Sequence, residues 1–498
     1  MAKKAQKTDA EVDQDMRNIL IIGSGMAGLA MAHALLREGI FDVTILEKES
    51  RLGGTWRDNI YPGCACDIPA ALYSFSFFQN PDYSRIYPQH EEIQAYMENM
   101  ARHFGIDSHI RYNAEAKSAR WDKDRLRWTV TLVGGEIIHC SVLIFATGQL
   151  NHPQIPDIKG AKSFTGPAFH SARWNNDVDF CDKRVVCIGT GASAVQFVPE
   201  IAKMAKELNI FQRSSNWMIP RNDRPYKGWE KWIFRYVPFA LRLFRWFIYL
   251  KMELRFSAWL QDSWMGTWFK RMAMRHLTNQ ISDPKLRKRL TPDYPVGCKR
   301  VIPHDDYYPT LEQDNVNVIT DPIDHIEADA IVTKDGRRHQ TDILIWATGF
   351  KTQAFLAPIK IYGANGQELH DSWGQDNAEA YLGIHSPGYP NMHILFGPGT
   401  GLGHNSILFM IECQVHYIMQ WLREMRNKRL LTLDVRYDTL NAYNKIVDEK
   451  MSKTVWTADC GSWYKNAQGK VVNNWYGSTV RYWLLTRSIN LAQYSIRS

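Results

Sequence analysis

Two segments of this chain are built on one plan. Gly23-Ser-Gly25-Met-Ala-Gly28 follows the apolar run 18–22, and Gly189-Thr-Gly191-Ala-Ser-Ala194 follows the apolar run 184–188. Each leads into small and apolar residues at helical spacing (27–36 and 192–208), then into a second apolar run (43–46 and 209–212). The residue closing that second run falls 24 positions after the first glycine in both copies, Gly23 to Glu47 and Gly189 to Arg213. Strand, glycine turn, helix and parallel strand make a βαβ unit. Its turn needs glycine because a Cβ would obstruct the sharp bend, the helix–strand contact and the approach of a pyrophosphate to the helix N-terminus. Two copies predict two bound dinucleotides.

The strand-end residues tell the two apart. Glu47 can accept a hydrogen bond from a ribose 2′-hydroxyl and would repel a 2′-phosphate, so the first loop suits FAD or NAD. Arg213 offers a guanidinium that fits a 2′-phosphate through charge-assisted hydrogen bonds, so the second suits NADPH. Gly23, Gly25, Gly28 and Glu47 are candidate binding residues for the first ligand. Thr190, Gly191, Ser193, Gln196, Arg213 and Ser214 are candidates for the second.

Strand and helix signals alternate along the chain, which predicts an α/β fold with two Rossmann-like dinucleotide-binding domains. Runs 142–145 and 343–346 each enter an Ala-Thr-Gly tripeptide, 146–148 and 347–349. These turns are expected where the chain passes between domains. The expected layout is a disordered tail at 1–16, an FAD domain from 17–150 and 341–498, and an NADP domain at 151–340. A helical insert is expected at about 222–290. Within it, residues 229–258 are aromatic, apolar and basic, and Arg235, Arg242, Arg245 and Lys251 interrupt any membrane-spanning run. The expectation is a helical insert packed on the NADP domain, with weak membrane-surface contact through 229–258 as the alternative.

Four further segments narrow the chemistry. Gly53-Gly54-Thr55-Trp56 is followed by Tyr61-Pro62-Gly63 and Asp67; Phe164, Gly166, His170 and Trp174 precede the second glycine loop; Lys299-Arg300 stands ahead of Asp306-Tyr307-Tyr308; and 397–406 is glycine-rich. The first two resemble the fingerprints of flavin-dependent Baeyer–Villiger monooxygenases. The second departs from the family pattern at Asn175, where Pro or Asp is usual.

The resemblance implies an FAD- and NADPH-dependent enzyme that inserts one oxygen atom from O2 beside a ketone carbonyl, through a flavin peroxide, to give an ester or lactone. It implies Arg300 as the catalytic cation, Asp67 as its partner beside the flavin, and His170 as a hinge residue that couples NADPH binding to catalysis. Thr55, Trp56, Asp67, Tyr73 and Gln149 are then expected along the flavin, and Lys299 and Arg300 at the NADPH side. Oxidation of sulfur or nitrogen in small substrates is the alternative activity.

Composition sets the outer bounds. The net charge of +8 is accounted for by two polyanionic ligands, and no long basic run points to nucleic acid. Eight scattered cysteines suggest neither a disulfide framework nor a metal site, and no Cys-x-x-Cys redox pair occurs. The polar N-terminus lacks an apolar signal core, so a cytoplasmic protein is expected. Which ketone is oxidised, and in what oligomeric state, is not legible in the residues.

Overall fold

The computed structural model describes residues 18–498. The expected tail at 1–16 lies outside the described residues. Two five-stranded parallel sheets organise the molecule. The first has the strand order Met392–Ile394, Val142–Phe145, Ile19–Ile22, Val43–Leu46, Ile110–Arg111. The second has the order Val316–Ile319, Glu207–Phe211, Arg184–Ile188, Ile343–Trp346, Ala168–His170. In both, the strand entering the glycine loop is central. It is flanked on one side by the second strand of its βαβ unit and on the other by the strand entering Ala-Thr-Gly. Central strands such as Ile19–Ile22 are buried throughout, because packing covers both faces.

The repeat extends to atomic contacts. Gly23 has φ +106°, and a Cβ there would lie 2.6 Å from the Ala146 carbonyl oxygen. Gly189 has φ +108°, and a Cβ would lie 2.4 Å from the Ala347 carbonyl oxygen. Each glycine loop is therefore seated on its own Ala-Thr-Gly turn. The chain segments that follow these turns pair with each other: Gln154 N–H donates to the Gly349 carbonyl at 2.9 Å, and Lys351 N–H to the His152 carbonyl at 2.9 Å. The two connections between the sheets thus run side by side.

Three expectations need correction. The boundary at 340 falls too early, because Ile343–Trp346 pairs with Arg184–Ile188 in the second sheet. An apolar strand carries no mark of which sheet it will join. The helix after the second loop spans Ala192–Ala202, short of 208, and the next strand starts at Glu207 because Glu207 and Leu208 pair with Arg184 and Val185. The insert is helical, with helices Gly228–Tyr236, Ala240–Leu254, Trp264–Gln280 and Pro284–Leu290. Its second helix does not pack on the second sheet's domain. Buried Arg245 donates to the carbonyls of Ala71, Leu72 and Ser74, and the Tyr249 hydroxyl bonds Thr479, all in segments assigned to the first.

Candidate active site

The two glycine loops leave matching spaces. Helix Met26–Arg37 begins after Gly25 and helix Ala192–Ala202 after Gly191, and neither N-cap glycine supplies a side-chain hydrogen bond to the first turn. The first-turn N–H groups therefore need an acceptor from elsewhere. A Cβ built on Gly25 or on Gly191 meets nothing within 4 Å, whereas one on Gly28 would lie 2.0 Å from the Gly23 carbonyl oxygen. The open side of each middle glycine is where a pyrophosphate fits, and the crowded glycines serve the turn itself.

Glu47 is buried at the first loop and fully bonded. Its carboxylate accepts from the Ser24 N–H at 3.1 Å and hydroxyl at 2.6 Å, from the Glu49 N–H at 3.1 Å and from Arg57 at 2.9 Å. These bonds fill its four acceptor positions. A ribose hydroxyl bonded to Glu47 would have to replace one of them, and the Ser24 hydroxyl, which can rotate away, is the one that can yield. Arg57 was not foreseen; a lone arginine in a one-turn helix carries no local signal that it will neutralise a strand-end carboxylate.

At the second loop Arg213 and Lys299 lie close together. The Lys299 ammonium donates to the Ser214 hydroxyl at 2.8 Å and sits 4.6 Å from the Tyr294 ring centroid. Burial, and then the neighbouring Arg213 charge, hold its pKa below the ordinary lysine value. Neither cation forms an ion pair among the described residues. Thr190 donates to the Ser214 carbonyl at 3.2 Å and ties this cluster to the loop. Ser193 stands in the first turn of the following helix. Two adjacent, unneutralised cations and a hydroxyl form a donor set suited to a phosphate dianion.

Gln196, in the same helix, bonds the Tyr61 loop. Its amide oxygen accepts from the Tyr61 hydroxyl at 3.1 Å and from the Ala65 N–H at 3.4 Å, and its amide nitrogen donates to the Ala65 carbonyl at 2.9 Å. Gly63 presses against the Gln196 backbone, where a Cβ would be 2.6 Å from the carbonyl oxygen. Gln196 therefore clamps the Tyr61-Pro62-Gly63 loop onto the second βαβ helix, with its amide oxygen doubly engaged and one of its two amide hydrogens unused.

That clamp places Asp67, next along the loop, opposite Arg300. The guanidinium donates to the Asp67 carboxylate at 2.8 Å. The Arg300 side chain remains 42% exposed while that of Asp67 is 10% exposed, so the arginine keeps an open side for a ligand. Burial opposes its charge, but the Asp67 carboxylate and Tyr464 outweigh that and hold its pKa above the ordinary arginine value. Tyr73 also lies within reach of the Arg300 charge, and its hydroxyl accepts from the Trp56 indole at 3.0 Å. The Arg300–Asp67 pair and the Trp56–Tyr73 pair are thus neighbours. Thr55 opens the short helix bearing Trp56, and Gln149 donates to the Phe396 carbonyl at 3.2 Å at the edge of the glycine-rich 397–406 segment.

A disulfide, Cys298–Cys460, stands immediately before Lys299-Arg300, with Cα atoms 6.4 Å apart. The scatter of the cysteines along the chain had suggested no disulfide framework, and this one link departs from that expectation. The two are separated by 162 positions, so their meeting is a property of the fold alone. The link fixes the Arg300 segment to the loop that carries Tyr464.

His170 is not in this cluster. It ends strand Ala168–His170 opposite Trp346, just ahead of the second Ala-Thr-Gly turn. Its Nδ1 accepts from the Ala172 N–H at 3.1 Å, its Nε2 is buried without a hydrogen-bond partner, and burial holds its pKa below the ordinary histidine value. Trp174 stacks on Phe180 and packs against Phe169 and Phe197 beneath the Tyr61 loop. Asn175 accepts from the Asp177 N–H at 3.0 Å, a turn that an aspartate could form equally well.

Two parallel sheets with open glycine loops, and a fixed arginine between them, define a protein that holds two dinucleotides around one reacting centre. Residues 16–359 match the model of the flavin-binding monooxygenase-like family. The chain is 40% identical over 480 residues to a Baeyer–Villiger monooxygenase of Streptomyces coelicolor, covering 96% of this chain and 92% of that one. It is 38% identical over 480 residues to a Baeyer–Villiger monooxygenase of Pseudomonas aeruginosa, covering 96% and 91%. Among solved structures it is similar to OTEMO in complex with FAD and NADP, with a TM-score of 0.87, 26% identity, and coverage of 96% of this chain and 99% of that one. The chain belongs to the flavin-binding monooxygenase family and, within it, to the Baeyer–Villiger type.

Proposed function

We propose that this protein is an FAD-containing monooxygenase that uses NADPH and O2 to insert one oxygen atom beside a ketone carbonyl. The products are an ester or lactone, NADP+ and water. The observation that carries this reading is the Arg300–Asp67 pair beside Trp56 and Tyr73. When bound, NADPH supplies hydride and FAD supplies the activated oxygen. The first βαβ unit, with Gly23, Gly25, Gly28 and Glu47, would hold FAD, and Trp56 would offer its indole face to the flavin. The second, with Thr190, Gly191 and Ser193, would hold NADPH, and Arg213, Ser214 and Lys299 would take its 2′-phosphate. We assign the FAD domain to residues 18–150 with the chain after the second Ala-Thr-Gly turn, and the NADP domain to the chain between.

Arg300 supplies what the insertion needs from the protein. Negative charge gathers on the attacking oxygen and on the ketone oxygen as the new C–O bond forms. A permanently charged guanidinium, already oriented, stabilises that charge without reorganising. Asp67 orients Arg300 and partners its charge while the site is empty of substrate. His170, at the connection between the sheets, serves positioning and not proton transfer.

The test is to follow NADPH oxidation by the purified yellow protein against linear, cyclic and aryl ketones and to weigh the products. A product one oxygen heavier than the ketone, cleaved by esterase, supports the reading. Conversion of sulfides or amines with no ketone conversion would overturn it.

A further inference from the structure

Helix Ala240–Leu254 is apolar on both sides, with Leu241, Tyr249 and Met252 buried and a second apolar set exposed. Its inward side carries Arg245, 8% exposed and bonded to three carbonyls. Its outward side carries Leu243, Trp246, Phe247, Leu250 and Leu254, each more than half exposed. Their spacing, mostly three to four residues, makes one stripe along about 17 Å of helix. A helix facing water places polar residues there, and a continuous exposed apolar stripe marks a contact surface.

The preceding helix, Gly228–Tyr236, extends the surface with Trp229, Trp232 and Tyr236. Between the helices Phe239 is held at φ +64°, a conformation unfavourable for a bulky residue, and is 68% exposed at the turn. Charge on this hairpin is of one sign where it is free. Lys231, Arg242 and Lys251 form no ion pair among the described residues. The two carboxylates are engaged: Glu230 with Arg224 at 2.7 Å, and Glu253 with Thr479 at 2.6 Å and Asn405 at 2.8 Å.

We propose that this hairpin docks on a lipid surface bearing anionic headgroups. Exposed indole, phenol and aliphatic side chains enter the interface while the unpaired cations meet the headgroups. The hairpin lies in the interface, since no helix among the described residues is long and apolar enough to cross a membrane. None of the exposed hairpin residues is assigned to the reaction, so the inference stands or falls independently of it.

Flotation of the full-length, FAD-loaded protein with vesicles tests it, using phosphatidylcholine alone and phosphatidylcholine mixed with phosphatidylglycerol. The protein should float with the anionic vesicles and be released by high salt. Trp246→Ser/Phe247→Ser/Leu250→Ser should abolish flotation while flavin absorbance, Tm and NADPH oxidation stay as in the parent. Arg242→Glu/Lys251→Glu should weaken binding to the anionic vesicles by about tenfold or more. Failure of the parent protein to float with either vesicle overturns the proposal. So does sedimentation, without lipid, of the parent as an oligomer and the triple variant as a monomer, which would make the stripe a contact between copies.

Discussion

Arg300 donates a hydrogen bond to Asp67 at 2.8 Å across 233 residues of chain. The pair is brought together by two long-range fastenings. Gln196 clamps the loop leading to Asp67, and the Cys298–Cys460 link holds the segment leading to Arg300. The arginine is thus held on one side and open on the other, the arrangement a fixed electrostatic catalyst requires.

Replacing Arg300 by Ala should lower ester formation by about 10²–10³-fold or more, the scale seen when one oriented donor to a developing oxyanion is removed. NADPH oxidation should continue, with O2 consumed and no ester made. Asp67→Asn keeps an acceptor but removes the charge, and should fall between parent and Arg300→Ala. Product yield per NADPH is the measurement; undiminished yield in Arg300→Ala would falsify the role assigned here.

Arg213→Ala should cut the preference for NADPH over NADH by about 10–100-fold, as expected for loss of hydrogen bonds to a charged group at about 1.5–3 kcal/mol. Lys299→Ala should act in the same direction. The ratio of kcat/KM for the two nucleotides reads the effect, which should lie in KM. Equal effects on both nucleotides would show that the cluster does not recognise the 2′-phosphate.

Gly23→Ala and Gly25→Ala should fail for different reasons. At Gly23 a methyl group meets the Ala146 carbonyl and the backbone has φ +106°, so the protein itself should lose stability. At Gly25 the methyl group meets no protein atom within 4 Å, so the FAD-free protein should keep its Tm but bind little FAD. Thermal unfolding of the FAD-free forms, set beside flavin content after reconstitution, separates the two.

Asp434 gives a stability signature in pH. Burial raises its pKa to about 7, against the hydrogen bonds it accepts from the Gly388 and Tyr389 N–H groups. Between the unfolded carboxyl value of about 3.9 and the folded value, the native state binds more protons than the unfolded state. Stability from this group therefore falls as pH rises through that window. Asp434→Asn should raise Tm above pH 7 relative to the parent and leave it nearly unchanged near pH 4. A Tm difference that does not vary with pH would reject the assignment.

Much of the framework was legible in the residues. The central strands, the 24-residue repeat from glycine to strand end, and the contrast between Glu47 and Arg213 follow from rules that act over one turn or one strand. Glycine is required where φ is positive or a carbonyl stands at 2.6 Å, and an apolar run of four must be buried. The same rules say nothing about partners far along the chain. They could not show that Ile343–Trp346 joins the second sheet, that Gln196 clamps the Tyr61 loop, that Arg57 saturates Glu47, or that Arg245 turns inward.

The sequence by itself therefore determined two dinucleotide-binding units and the residue types at their ends, because those depend on local backbone geometry. The family resemblance had already paired Arg300 with Asp67. Only the tertiary structure decided that Arg57 meets Glu47 and that Cys298 meets Cys460, because the packing of the sheets and their connections leaves those segments facing one another. That outcome is set by burial summed over the whole core and is written in no single stretch of chain.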